Sequence, residues 1–255
     1  MRAKAIVVLI ICATLTFCAS KQVRIQKARE KDPKYQYNVG LFHLNQSNIE
    51  EAVKYFVKAL ALDTRYYLAW NALGISHSMR GRLEESVQAY RKCLEINPQF
   101  TEAHNNLGTV YDRMGRVDLA ETEWKTALLD PTFQSRELPY TNLARLYILQ
   151  NRLDEAFDSV QKAIEIQPRL AMAYNLRGQV YEKKNNLGEA VASYEAAVKI
   201  VPEDVLFNYN LGVASFKLTD YARAKDVFTR IRARVTDAEM RDAISRYLRL
   251  IGEQR

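Results

Sequence analysis

Residues 67–100 read YLAWNALGISHSMRGRLEESVQAYRKCLEINPQF, and this stretch decides the fold. With Tyr67 as position 1, Trp70, Leu73 and Gly74 stand at positions 4, 7 and 8, and Ser86, Tyr90, Cys93 and Pro98 at positions 20, 24, 27 and 32. Working outward, the glycine of position 8 returns 34 residues away on both sides, at Gly40 and Gly108. The phase then slips by two residues to Ala144 and resumes at Gly178 and Gly212, so six copies of one unit fill the chain.

The other copies keep the same small and aromatic residues. The first has Ala52, Phe56 and Ala59; the third Tyr111, Ala120, Trp124 and Ala127; the fifth Tyr181, Ala190, Tyr194 and Ala197. This spacing is that of the tetratricopeptide repeat, two antiparallel helices per unit. A missing side chain at position 8 and a small one at position 20 let the two helices approach, and aromatics at positions 4, 11 and 24 fill the wedge. Position 15 holds Gly81, Gly115, Asn151 and Asn185, residue types that tolerate a left-handed helix cap. Pro98, Pro168 and Pro202 stop the second helices. A lone unit cannot bury its apolar stripe, so stacking of neighbours must supply the stability. The expected fold is all-α: a superhelical solenoid of helix-turn-helix repeats at 33–66, 67–100, 101–132, 137–170, 171–204 and 205–238. A helix over 239–255, with Met240, Ile244, Tyr247, Leu248 and Ile251 at helical spacing, is expected to cap the sixth unit.

The N-terminus has a different character. Arg2 and Lys4 precede an uncharged run from Ala5 to Phe17, too short to span a bilayer, which reads as an export signal at 1–17. Leu15, Thr16, Phe17 and Cys18 resemble the lipobox of bacterial lipoproteins, which makes Cys18 the candidate lipidation site. Phe17 departs from the small residue that pattern carries before its cysteine. Cleavage after Ser20 and an uncleaved signal anchor are the alternatives. Residues 18–32 form a basic tether containing Lys21, Arg24, Lys27, Arg29 and Lys31. Subtracting Arg2 and Lys4 from the 37 basic residues leaves 35 against 30 acidic, a mild net charge of +5. With Cys12 in the signal and Cys18 acylated, only Cys93 remains, expected as a buried structural thiol.

No enzyme chemistry is legible. His43 and His77 at position 11 and His104 at position 4 read as core fillers, and no Cys-x-x-Cys or phosphate loop occurs. Acidic pairs such as Glu50 with Glu51 and Glu84 with Glu85 open second helices, where they complement the helix dipole. No basic stripe recurs from unit to unit, so nucleic acid is not implied; no two histidines sit four apart, so no metal is implied either, and neither a small-molecule substrate nor a cofactor is expected apart from the covalent lipid on Cys18.

The inner wall of such a stack is lined by positions 2, 5, 9, 12 and 13 of the first helices. In the first two units these include Tyr37, Leu41, Leu44, Leu68, Asn71, Ile75 and Met79, an apolar strip that reads as a partner-binding groove. Asn71, Asn105 and Asn175 form a ladder that could hydrogen-bond a partner backbone. Met172 in the fifth unit and Leu206, Tyr209, Val213 and Phe216 in the sixth are also apolar.

Six repeats behind a lipobox, with an Ala127-Leu128-Leu129-Asp130-Pro131-Thr132-Phe133 stretch and a short insertion before Tyr140, resemble the PilF/PilW/Tgl family of type IV pilus pilotins. The resemblance implies an outer-membrane lipoprotein facing the periplasm that binds the secretin subunit PilQ and promotes its assembly into a ring. Three acyl chains would hold it firmly, where one chain anchors only marginally. The alternatives are a general periplasmic scaffold for cell-envelope complexes and a cytoplasm-facing, membrane-anchored adaptor.

Overall fold

The computed structural model describes residues 28–253. The signal, Cys18 and most of the basic tether therefore lie outside the described residues. Six helix pairs follow one another: α1 (Pro33–Asn45) with α2 (Ile49–Leu62), α3 (Tyr67–Met79) with α4 (Leu83–Ile96), and α5 (Thr101–Arg113) with α6 (Val117–Ala127). Then come α7 (Glu137–Leu149) with α8 (Leu153–Ile166), α9 (Ala171–Lys183) with α10 (Leu187–Ile200), and α11 (Val205–Lys217) with α12 (Tyr221–Ile231). A short 3₁₀ turn (Arg232–Arg234) leads to α13 (Ala238–Glu253). No strand occurs among the described residues.

The chain divides into two compact units, the first ending at Arg116 and the second beginning at Val117, between the two helices of the third repeat. In the first unit, Ala52, Phe56, Ala59, Leu60, Ala69, Ala72, Leu73 and Ala89 form one buried cluster across two repeats, as a stack that shares its core must. In the second unit, Ala190, Val191, Tyr194, Leu211, Ala214 and Val227 do the same.

Each first helix ends in one repeated closure. The amide at position 15 donates to the carbonyl three residues back, and the amide at position 16 to the carbonyl five back, for example Gly81 to Ser78 at 3.0 Å and Arg82 to His77 at 2.9 Å. This Schellman-type cap requires a left-handed residue at position 15. Gly81, Gly115, Asn151 and Asn185 adopt it, and so do Ser47 (φ 59°) and Thr219 (φ 66°), which have no special tolerance for it. The closure is worth more than the local strain, so the repeat imposes the conformation on whatever residue stands there.

Position 4 proves to be a hydrogen-bonding position as much as a wedge. Gln36, Trp70, His104, Tyr174 and Asn208 each reach back to a backbone carbonyl six residues earlier, at 2.7 to 3.1 Å. Five different side chains share one task, tying α1, α3, α5, α9 and α11 to the turns that precede them.

Helix α13 lays Ile244 and Ile251 into a cluster with Ala224, Phe228, Ile231 and Val235. Tyr247 stacks on Phe228 at 5.1 Å and meets Phe216 edge-on at 5.0 Å, closing the last repeat.

Candidate functional site

In the first unit, the expected groove residues separate into two groups. Leu68, Asn71 and Ile75 are half-buried and Met79 is exposed on the face formed by the first helices. Tyr37, Leu41 and Leu44 instead pack against the buried cluster, and Tyr37 meets Phe56 at 5.9 Å and Tyr66 edge-on at 5.3 Å. In this repeat the aromatic and leucine side chains at positions 5, 9 and 12 thus help complete the core.

The asparagine ladder serves the stack. Asn71 Oδ1 accepts from Asn106 Nδ2 at 3.5 Å, and Asn175 Oδ1 accepts from Asn210 Nδ2 at 2.8 Å, each pair bridging successive first helices. Asn105 and Asn175 are only 7% and 1% exposed, which corrects their assignment to an open groove. A residue at position 5 points partly along the stacking direction, where the next first helix covers it.

Positions 12 and 13 are used in the same way. Arg113 donates to the carbonyl and hydroxyl of Ser78 at 2.9 and 2.7 Å, and Lys217 pairs with Glu182 at 2.6 Å. Much of the polar inner face is thus committed to holding neighbours in register.

At the lengthened join after α6, Glu121 accepts from Tyr147 at 3.0 Å and from Arg152 at 2.9 and 3.1 Å, and pairs with Lys125 at 2.7 Å. The Arg152 guanidinium foremost, with Lys125 and the Tyr147 hydroxyl, holds the Glu121 carboxyl down at about 2. Arg152 also bonds Glu155 and lies 4.2 Å from the centre of the Tyr147 ring. Position 11, expected to be a plain filler, here carries a charge network.

The histidines are half-buried rather than core residues. His43 stacks on Tyr55 at 5.2 Å, His104 is the position-4 partner of the Pro98 carbonyl, and burial pulls the His77 imidazole below its usual value. Cys93 is fully buried, and that burial pushes its thiol up to about 12, a structural rather than a reactive sulfur. Among the described residues no group of His, Cys, Asp and Glu could hold a metal ion, and no helix is long and apolar enough to cross a membrane.

In the second unit Leu138 joins the apolar Met172 and Leu206 that the sequence places on the inner wall. Leu138, Met172 and Leu206 occupy position 2 of α7, α9 and α11 and are 45%, 40% and 44% exposed, an apolar band across three successive first helices. A position-by-position reading of the fourth repeat would have found its first member.

Comparison with known proteins places these features. A family model described as "Tetratricopeptide repeat" matches residues 33–66 and 139–170, and one described as "TPR repeat" matches 79–115 and 181–218. The solved structure of PilW, described as a widely conserved type IV pilus biogenesis factor, superposes with a TM-score of 0.76 at 17% identity, covering 83% of this chain and 97% of that one. PilF of Pseudomonas aeruginosa gives 0.77 at 16% identity, covering 86% and 98%. Among curated proteins, a cell division cycle protein 27 homolog of Caenorhabditis elegans is 31% identical over 88 residues, 34% of this chain and 11% of that protein. The chain spans only 11–14% of the length of the curated relatives it matches.

Proposed function

We propose that this tetratricopeptide-repeat protein is a pilotin, an outer-membrane lipoprotein anchored through Cys18 and facing the periplasm. In this reading it binds the subunit of a type IV pilus secretin and promotes assembly of the secretin ring, without enzymatic activity. The observation that carries the reading is the extent of the structural likeness, which takes in 97% and 98% of the PilW and PilF chains. The lipobox-like Leu15 to Cys18 stretch adds a membrane attachment, and the half-buried Leu68 and Ile75 with exposed Met79 offer apolar contact surface on the first unit.

The test is deletion of the gene followed by an assay for heat-resistant secretin multimers. Their loss, restored by the wild-type chain and not by Cys18→Ser, is the expected outcome, together with incorporation of radioactive palmitate into the wild type alone. Unchanged multimers would sink the pilotin reading. They would favour a general envelope scaffold, a role consistent with curated relatives that match over no more than about a third of this chain.

A further inference from the structure

Positions 3 and 10 of the first helices are where one repeat meets the repeat before it. Ala69 shares a buried cluster with Ala59 and Leu60 of the first repeat, and Phe207 shares one with Ala197 of the fifth. Ala69 with Ser76, Ala103 with Val110, Ala173 with Val180 and Phe207 with Ala214 occupy these positions, and none is more than 4% exposed. Position 23 of the second helices is likewise buried in Ala89, Ser159 and Ser193. In the first repeat the same three positions carry aromatic rings that remain accessible. Tyr35 is half-buried, Phe42 is 61% exposed, and Tyr55 is half-buried and stacked on His43 at 5.2 Å.

The chemistry of this face is that of a membrane interface. Phe42 lies about two helical turns from Tyr35 on one side of α1, and Leu62, 44% exposed, lies about two turns beyond Tyr55 on α2. Lys58 Nζ sits 4.5 Å from the centre of the Tyr55 ring. Aromatic rings with a polar edge, and lysines on long apolar stems, settle where headgroups meet acyl chains, because one end of each is dry and the other wet. The carboxylates of the repeat are engaged: Asp32 and Asp63 accept from the Lys34 and Arg65 amides at 2.9 Å, Glu50 and Glu51 pair with Arg80 and Lys54, and Glu30 is not free either. Exposed Arg29, Lys31 and Lys34 can reach headgroup phosphates. Ala28 is ten residues on from Cys18, a length of chain that spans at most about 35 Å. A lipid on Cys18 therefore holds the first repeat within that distance of a bilayer.

We propose that Tyr35, Phe42 and Tyr55 form a membrane-contact face that enters the headgroup layer of a phospholipid bilayer and orients the first repeat on it. The proposal rests on the lipid anchoring of Cys18 put forward above. A lipid alone sets distance but not direction, whereas aromatic contact on one face fixes which side of the repeat meets the membrane.

The test uses the full acylated chain in vesicles of phosphatidylethanolamine and phosphatidylglycerol. Asn38, exposed between Tyr35 and Phe42 on α1, is changed as Asn38→Cys and labelled with the environment-sensitive dye NBD. Met172→Cys on the second unit is the control, and buried Cys93 stays unlabelled. The expected result is a blue shift of the label at position 38 and quenching of about twofold or more by lipids that carry a nitroxide near the headgroup, with neither effect at position 172. Adding Phe42→Asp should remove both effects while the chain still floats with the vesicles. Circular dichroism melts confirm that the variants fold; should Phe42→Asp not fold, Phe42→Ser takes its place. A chain that does not float overturns the lipid anchor and the proposal with it. A floating chain whose label at position 38 is neither shifted nor quenched, or whose quenching survives Phe42→Asp, overturns the proposal alone. So does a shift that grows with protein concentration in detergent, which would assign the face to a second copy of the chain, or one that the secretin subunit produces in place of lipid.

Discussion

Gly178 has no side chain because the ring of Tyr194 occupies its place: a β-carbon there would stand 2.5 Å from Tyr194 Cε1 and 2.6 Å from Cδ1. The same relation holds between Gly40 and Phe56, Gly74 and Tyr90, and Gly212 and Phe228. In the fourth repeat position 24 is Val160, and there position 8 becomes Ala144, fully buried. The glycine is therefore the counterpart of the aromatic at position 24, a more specific pairing than the small residue at position 20 suggests.

Substituting Gly178→Val should destabilise the protein by about 1–3 kcal/mol through overpacking. The milder Gly178→Ala should change sign with its partner: destabilising beside Tyr194, stabilising by up to about 1 kcal/mol in a Tyr194→Val background, where helix propensity alone remains. Urea unfolding of the four members of this cycle measures the coupling. Additive effects would show that the two residues do not meet.

Thr219 holds a left-handed conformation that β-branched residues avoid. Thr219→Asn, the residue the chain uses at Asn151 and Asn185, should raise the melting temperature, corresponding to about 1 kcal/mol. Gly81→Val at the equivalent turn should lower it.

Acid should weaken the lengthened join. The folded-state pKa of Glu121 is depressed to about 2, so its contribution is fully present above the ordinary carboxylate value near 4.5 and is lost as pH falls toward 2. Urea midpoints for wild type and Glu121→Gln should differ most above pH 5 and converge between pH 4.5 and 2. A gap that is independent of pH would remove the ion network from the explanation.

Tyr174→Phe deletes the hydroxyl that reaches the Pro168 carbonyl at 3.1 Å. A loss of about 0.5–1.5 kcal/mol is expected in thermal melts, with the helical signal retained.

For the first unit's face, Ile75→Asp is the informative change. Ile75 is half-buried on the face of the first helices, whereas Leu41 packs on the core and its replacement would confound folding with binding. Ile75→Asp should abolish pull-down of the secretin subunit while the melting curve stays cooperative. Retained pull-down would move the partner site elsewhere.

How much was legible beforehand follows from what each feature depends on. The 34-residue return of Gly40, Gly74 and Gly108 and the slip to Ala144 expose the repeat. Helix ends at Gly81, Asn151, Pro98 and Pro168 follow from backbone rules that act within a few residues. Repeat position alone does not reveal that Tyr37 and Leu41 pack on the core or that Asn105 and Asn175 are buried, because that depends on which neighbouring helix covers them. The position-4 donors were read as wedges because Gln, Trp, His, Tyr and Asn share no sequence signature, only a reach.

By itself the sequence determined the all-α repeat, its count and the caps at Gly81, Gly115, Asn151 and Asn185. These depend on local sterics repeated six times. Only the tertiary structure decided that Asn175 is consumed by Asn210, that Ser47 and Thr219 are forced left-handed, and that Leu138, Met172 and Leu206 line up in the open. The first and last of these depend on residues some 34 apart coming together through helix packing, where a 100° turn per residue decides whether a side chain faces a neighbour or water; the second depends on the closing hydrogen bonds of each first helix, which hold the turn whatever residue stands in it.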